Sequence, residues 1–147
     1  TEIDAAQDSK AILMRVDSPG GTVAGLEEAS QAIAASSVPV FAYCDGMACS
    51  AAYHLAASAD AIVASPSADV GNIGTVMAWM TDAQREFLQE EINIMGEQFR
   101  SHVESNRDVD PEVFRAGWYQ GDRAQSLGLI DAVASYEYAR QTIINGI

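Results

Sequence analysis

Ser50 lies in Gly46-Met47-Ala48-Cys49-Ser50-Ala51-Ala52-Tyr53, between the exit of an apolar run and an Ala-rich segment with strong helix preference. A serine at a helix N-terminus sits beside unpaired N–H groups and the positive end of the helix dipole. That setting favours an oxyanion forming next to the hydroxyl, the chemistry of acyl transfer. It equally suits a serine that merely caps the helix. A second feature could cooperate. Pro19-Gly20-Gly21 follows another apolar run, and paired glycines let the backbone approach a ligand and present an N–H to it. A plain strand-to-helix turn would have the same composition.

A serine nucleophile needs a base. His54 follows Ser50 by four residues, which stacks it one turn along rather than on the hydroxyl, so it is expected to be a core or surface histidine. His102 falls off the apolar stripe of a later helix and is expected on its solvated face. Lys10, the only lysine, precedes the first strand, at the end opposite Gly20-Gly21. It reads as a surface residue. Cys49 reads as a small buried hydrophobe, and Trp118-Tyr119 as a packing or oligomer contact. No CxxC pair or His/Cys cluster suggests zinc, and no metal or cofactor is expected.

The elements that must position these groups alternate. Ala11–Val16 is a buried strand, and Val23, Leu26, Ala29, Ala32 and Ile33 recur at helical spacing. Val38–Cys44 is a second strand, turned by Asp45-Gly46, and Ser50–Ala59 is a helix. Ala61–Ala64 is a third strand, and Val70–Val76 is extended and punctuated by glycine. Leu88, Ile92, Met95, Phe99 and Val103 mark a long amphipathic helix, opened near Thr81 by a capping box with Gln84. Asp110-Pro111 opens a short helix, Gly121–Leu127 forms another closed by Gly128, Leu129–Val133 is a final strand, and Tyr136–Ile144 a terminal helix. Such alternation predicts an α/β fold of repeated β-α units around a mainly parallel sheet.

Composition bounds the function. The 147 residues fit a single domain, with 8 Lys+Arg against 21 Asp+Glu and a net charge of −13. An acidic chain argues against nucleic-acid binding and against a polybasic membrane surface. No apolar run approaches the roughly 20 residues of a membrane-spanning helix. The start, Thr1-Glu2-Ile3-Asp4, has no signal-peptide character.

Ala11-Ile12-Leu13-Met14-Arg15-Val16-Asp17-Ser18-Pro19-Gly20-Gly21-Thr22-Val23 resembles the signal peptide peptidase A (protease IV) family of serine peptidases. So do Pro39-Val40, Gly46–Tyr53, Ala56–Ala64, Gly71-Asn72-Ile73-Gly74 and Gly121–Val133, in that order. Phage head-maturation proteases of the same family are also similar, including a cysteine directly before the serine. The resemblance implies a Clp protease/crotonase-type fold and Ser50 as nucleophile. It implies an oxyanion hole from the backbone N–H groups of Gly21 and Ala51, with Gly20, Asn72 and Ile73 supporting substrate or dyad. The family's base is a lysine in a stretch before the long helix. Here Ala78-Trp79-Met80 runs directly into Thr81-Asp82. The expectation is that about 30–40 residues of an active-site loop are missing near Trp79-Met80, and that the single domain of residues 1–147 is also truncated before Thr1. Asn72 stands where the family has a serine that can bond the lysine, and its side-chain oxygen could accept the same bond.

The function implied is a Ser/Lys endopeptidase acting on peptides or unfolded protein through an acyl-enzyme. The alternatives are an inactive binding or assembly module of the same fold and a crotonase-like acyl-CoA enzyme. The resemblance also implies a homo-oligomer. A membrane anchor or a phage capsid association outside the chain, and hence a membrane, cytoplasmic or prohead location, are all compatible with it.

Overall fold

The computed structural model describes residues 9–76 and 81–146. The expected junction at Trp79-Met80 lies outside them. The elements run β1 (Ile12–Ser18), α1 (Leu26–Ala34), β2 (Val40–Cys49), α2 (Ala51–Ala57), β3 (Ala61–Ala64), β4 (Asp69–Gly71) and α3 (Asp82–Asn106). A 3₁₀ turn (Pro111–Arg115), β5 (Trp118–Tyr119), α4 (Gly121–Ser126), β6 (Ala132–Val133) and α5 (Tyr136–Gly146) complete the chain.

β2 organises the sheet. Its first half pairs with β1 on one edge and with β3 on the other, both parallel. Its second half pairs with β4, also parallel. β6 joins β3 in parallel, while β5 pairs antiparallel with β4. The switch of partner along β2 depends on an irregularity at Asp45-Gly46, where the sequence predicts a turn. The strand instead continues to Cys49, and its register with β1 slips from Val16↔Cys44 to Ser18↔Ala48. This is a bulge, which bends a strand without ending it. Asp17 holds it, with Oδ1 accepting a bond from the Met47 N–H at 3.0 Å. A Cβ at Gly46 would come within 2.6 Å of that same oxygen, so any side chain there would displace the Asp17 carboxylate from its bond to Met47. Ser65 Oγ donates to the Asp45 carbonyl at 2.6 Å and fastens β3 to the bend.

The core sits between the sheet and α2. Ala52, Ala56 and Ala57 are buried, and their small side chains bring α2 close to the strands. Tyr53 fills the space below and donates its hydroxyl to the Leu129 carbonyl at 2.8 Å. Ile62, Val70, Val103, Val113 and Leu129 are fully buried around it. The capping box at Thr81 and Gln84 is formed. Of the apolar stripe on α3, Phe99 and Val103 are buried, while Leu88, Ile92 and Met95 are only half-buried, so the helix docks by its C-terminal half. β6 is shorter than the predicted final strand, because Leu129 and Ile130 are buried outside the ladder.

Candidate active site

Parallel strands point their carboxyl ends the same way, and the loops leaving those ends form the usual ligand-binding edge of an α/β sheet. Here β1 ends in Gly20-Gly21, β2 in Ser50 and β4 in Asn72-Ile73. All the residues expected to carry chemistry converge on this edge.

Ser50 has φ 53° and ψ −126°. A non-glycine residue with positive φ is strained, and such strain persists only where the surroundings impose it. Three contacts do so. The Ser50 N–H donates to the Gly71 carbonyl at 2.9 Å, and the Ser50 carbonyl accepts from the His54 N–H at 3.0 Å. Gly20, itself at φ +106°, lies directly against it: a Cβ there would meet Ser50 Cβ at 2.8 Å and the Ala51 nitrogen at 3.1 Å. Ser50 occupies the N-cap position of α2, yet its side chain makes no capping bond. The capping reading therefore fails, and the hydroxyl is not spent on the helix.

The diglycine loop is ordered by its own hydroxyls. Ser18 Oγ accepts from the Gly20 N–H at 3.2 Å, and Thr22 Oγ1 from the Ala24 N–H at 3.2 Å. A cavity of about 450 Å³ opens beside the loop, lined by Val16, Gly20, Gly21, Leu26, Ala51 and Leu55 among others. Gly21 has no neighbour within 4 Å of a Cβ position, so its backbone is open to the cavity.

On the far side, Gly71 (φ +112°) and Asn72 (φ 50°) both adopt left-handed backbone. The Asn72 N–H donates to the Gly117 carbonyl at 2.6 Å, and Ile73 is buried. Sequence reasoning missed the group that holds this corner. Trp118-Tyr119 is not merely a packing pair: it forms β5, with Trp118 opposite Gly71, and so places the Gly117 carbonyl on Asn72. The readable signal was Gly71-Asn72 itself, since Gly and Asn are the residues most tolerant of this conformation.

Neither histidine serves Ser50. His54 is buried, with Nδ1 2.9 Å from Ser30 Oγ. Burial, with His102 nearby, pushes its pKa down to about 4. His102 is not on a solvated face as predicted. It is half-buried and stacks on His54 with ring centroids 3.7 Å apart, because α3 packs this part of its surface on α2. Lys10 is exposed and lines a separate hollow with Tyr136 and Arg140. Cys49 is buried, its Sγ 3.4 Å from the Asp69 carbonyl, and burial pushes its pKa up, which disfavours the thiolate.

The same geometry is accompanied by sequence likeness. Protein MJ0651 of Methanocaldococcus jannaschii, which bears a provisional protease name, is 27% identical over 175 aligned positions, covering 94% of this chain and 56% of that protein. Protease 4 of Salmonella typhi is 44% identical over 68 residues, 44% of this chain and 11% of that protein. The chain thus spans about half the length of the archaeal relative and a small part of the bacterial one. Among solved structures, the 1510-N membrane-bound stomatin-specific protease matches in two mutant forms. A Lys→Ala mutant with a substrate peptide gives a TM-score of 0.67 at 17% identity, covering 95% of this chain and 69% of that one. A Ser→Ala mutant gives 0.64 at 18% identity, covering 95% and 73%. These likenesses establish a Clp/crotonase-like fold. The sequence model of peptidase family S49 matches residues 32–81 and 75–145, and with most of its length inside that match the chain belongs to peptidase family S49.

Proposed function

We propose that this chain is the catalytic domain of a serine endopeptidase in which Ser50 is the nucleophile and the backbone amides of Gly21 and Ala51 form the oxyanion hole. The observation that carries the reading is the state of Ser50: positive φ, no capping bond, and Gly20 packed against it. Strain of this kind holds a hydroxyl out from the helix end, and it is retained where mechanism needs it.

The proposed reaction is acyl transfer to Ser50. A neutral amine takes the Ser50 proton as the oxygen attacks a peptide carbonyl. The amides stabilise the tetrahedral oxyanion, each donor being worth about 3–4 kcal/mol in other serine enzymes. The amine then protonates the leaving nitrogen, and water hydrolyses the acyl-enzyme with the same amine as base. The amine proposed is a lysine on a segment inserted near residues 75–81. One observation supports an insertion there, and a second shows that gaps exist without placing them. The family match breaks into two pieces that overlap at 75–81. The alignment to the archaeal relative spans 175 positions, more than the 147 residues of this chain. Asn72, held beside Ser50 by the Gly71 contact, offers a side-chain oxygen that could accept a bond from the lysine.

The substrate proposed is an extended peptide or unfolded protein segment, adding main-chain bonds beside Gly20 and Gly71–Ile73. Its side chain adjacent to the scissile bond enters the apolar cavity at Val16, Leu26 and Leu55. The working enzyme is proposed to be a homo-oligomer. Among the described residues no helix is long and apolar enough to cross a membrane.

The test compares hydrolysis of a fluorogenic peptide and of unfolded casein by the protein with the segment proposed near Trp79-Met80 and by its Ser50→Ala variant. Loss of at least a thousandfold is expected; equal rates overturn the proposal. A second reading, a binding module of the same fold, is favoured by one observation: Lys10, the only lysine, lies away from Ser50. A complete gene with no lysine in that segment would select it. Saturable acyl-CoA binding without labelling of Ser50 by a serine-directed reagent would instead select a crotonase-like enzyme.

A further inference from the structure

Three helices bring together side chains that the sequence keeps far apart. Glu27 lies in the first turn of α1, His54 one turn into α2 and His102 in the last turns of α3. One donor atom from each lies within 4.8 Å of the other two. The sequence gives no hint of a metal set, because no two of these residues share an element or a ligand-like spacing.

The hydrogen bonds show which nitrogens remain available. His102 Nε2 is 3.1 Å from the His54 carbonyl. A carbonyl only accepts, so Nε2 carries the proton and Nδ1 of the neutral ring keeps its lone pair. Ser58 Oγ, 3.1 Å from the same Nε2, shares that proton. His54 engages Ser30 Oγ through Nδ1, leaving Nε2. Among the described residues each imidazole is thus bonded through one nitrogen only, the arrangement in which metal-binding histidines are held by outer partners. Glu27 adds the carboxylate at the exposed rim. A cavity of about 980 Å³ reaches all three, with Leu26, Phe99 and Ile94 among its walls, and gives an ion a way in.

We propose that Glu27, His54 and His102 form a binding site for a divalent transition-metal ion of the zinc or cobalt type. Two imidazoles and a carboxylate suit such ions and suit magnesium or calcium poorly, since those prefer all-oxygen shells. Three protein ligands leave a further position for water from the cavity. The rings lie parallel to within 8°, so an ion in the plane of one is out of the plane of the other. Binding therefore tilts the rings out of their stack and draws the donors in to bond lengths of about 2.0–2.2 Å. The bound ion ties α1, which leads from the diglycine loop, to α2, which begins beside Ser50. It acts as a clamp between the two halves of the candidate active site. The site does not depend on the Ser50 reading.

The test is equilibrium dialysis and isothermal titration of the purified protein with zinc chloride, with cobalt chloride as a spectroscopic probe and magnesium chloride as control. One zinc per chain at micromolar or tighter affinity is expected, with visible cobalt absorption bands. Thermal unfolding should move up by several degrees once zinc exceeds its Kd about a hundredfold. Glu27→Gln, on an exposed side chain, should weaken zinc at least tenfold. His102→Phe, which keeps a ring on His54, should abolish the stoichiometric site. Absence of stoichiometric zinc binding overturns the proposal. So does equal binding of magnesium, which would mark the acidic surface, or unchanged zinc affinity in both variants.

Discussion

The two ends of the parallel sheet use polar groups in opposite ways. At the amino ends of the strands, carboxylates are spent on backbone amides. Asp60 Oδ2 accepts from the Val40 N–H at 2.8 Å where β2 begins, and Asp131 Oδ2 from the Ile62 N–H at 2.7 Å near the start of β3. Arg107 completes the second by a fork of two bonds to Asp131, at 2.8 and 2.9 Å. At the carboxyl ends the backbone itself is bent into unusual shapes. Gly20, Ser50, Gly71 and Asn72 all have positive φ, and the Ser50 hydroxyl makes no capping bond. The amino end stores stability in satisfied charge. The carboxyl end gives some back as strain, which is what an edge adapted for chemistry should do.

The sharpest way to break that contrast is Gly20→Ala. The new Cβ would meet the Cys49 carbonyl and Ser50 Cβ at 2.8 Å, both part of the backbone frame, and φ +106° is hostile to any side chain. A loss of about 2–4 kcal/mol in unfolding free energy is expected, from strain and overpacking together. Peptidase activity should fall at least a hundredfold, because the shift displaces Ser50 relative to the loop. Chemical denaturation and peptide hydrolysis read the two effects separately. Normal stability with normal activity would show that Gly20 does not hold Ser50 in place.

At the other end, Asp131→Ala should cost about 2 kcal/mol without reducing the specific activity of the folded protein. It removes the carboxylate partner of Arg107, whose side chain is only 11% exposed and keeps only its long bonds to the Gly128 carbonyl, and orphans the Ile62 amide. The pH dependence carries a sign. Burial works to raise the Asp131 pKa, but the bonds from Arg107 and Ile62 outweigh it and hold it below the ordinary value of 3.8. A carboxylate whose folded pKa is depressed stabilises the fold above its unfolded pKa. That contribution is lost as pH falls from about 3.8 through the folded value. Since Asp131 is partly exposed, the loss should be under about 1 kcal/mol, visible as a steeper acid limb that Asp131→Ala flattens. An unchanged acid limb would remove Asp131 from the account.

How far the sequence discloses the two ends differs in kind. The Gly20-Gly21 and Gly46–Tyr53 stretches are local, and the residues themselves announce a loop and a helix start. The loop and the helix start are legible for that reason, while the roles given to Ser50 and its glycines come from the family resemblance alone. Also legible are α3, from its stripe and capping box, and β3, from a short apolar run closed by Ser65-Pro66. The amino-end locks are not legible, because Asp131 meets Ile62 across 69 positions and Arg107 across 24. β5 escapes for the same reason: two residues have no periodicity, and only β4 makes them a strand. Asp45-Gly46 reads as a turn because Asp-Gly marks turns and bulges alike, and only the carboxylate of Asp17 tells them apart. His102 was misplaced because helical periodicity separates faces but does not know that α2 will cover a polar one.

The finest test of the contrast is Ser50→Gly. Glycine enters φ 53° without the penalty a Cβ imposes, and the side chain it removes makes no capping bond. If the carboxyl edge carries strain for the sake of chemistry, this variant should be as stable as the parent or more so, by up to about 1 kcal/mol, while losing all peptidase activity. Ser50→Ala keeps the strain and loses the same activity, so it should gain nothing. The difference between the two variants therefore isolates the backbone strain from the hydroxyl. If both prove equally stable, the positive φ costs the fold nothing, and the two ends of the sheet differ in their polar bonds alone.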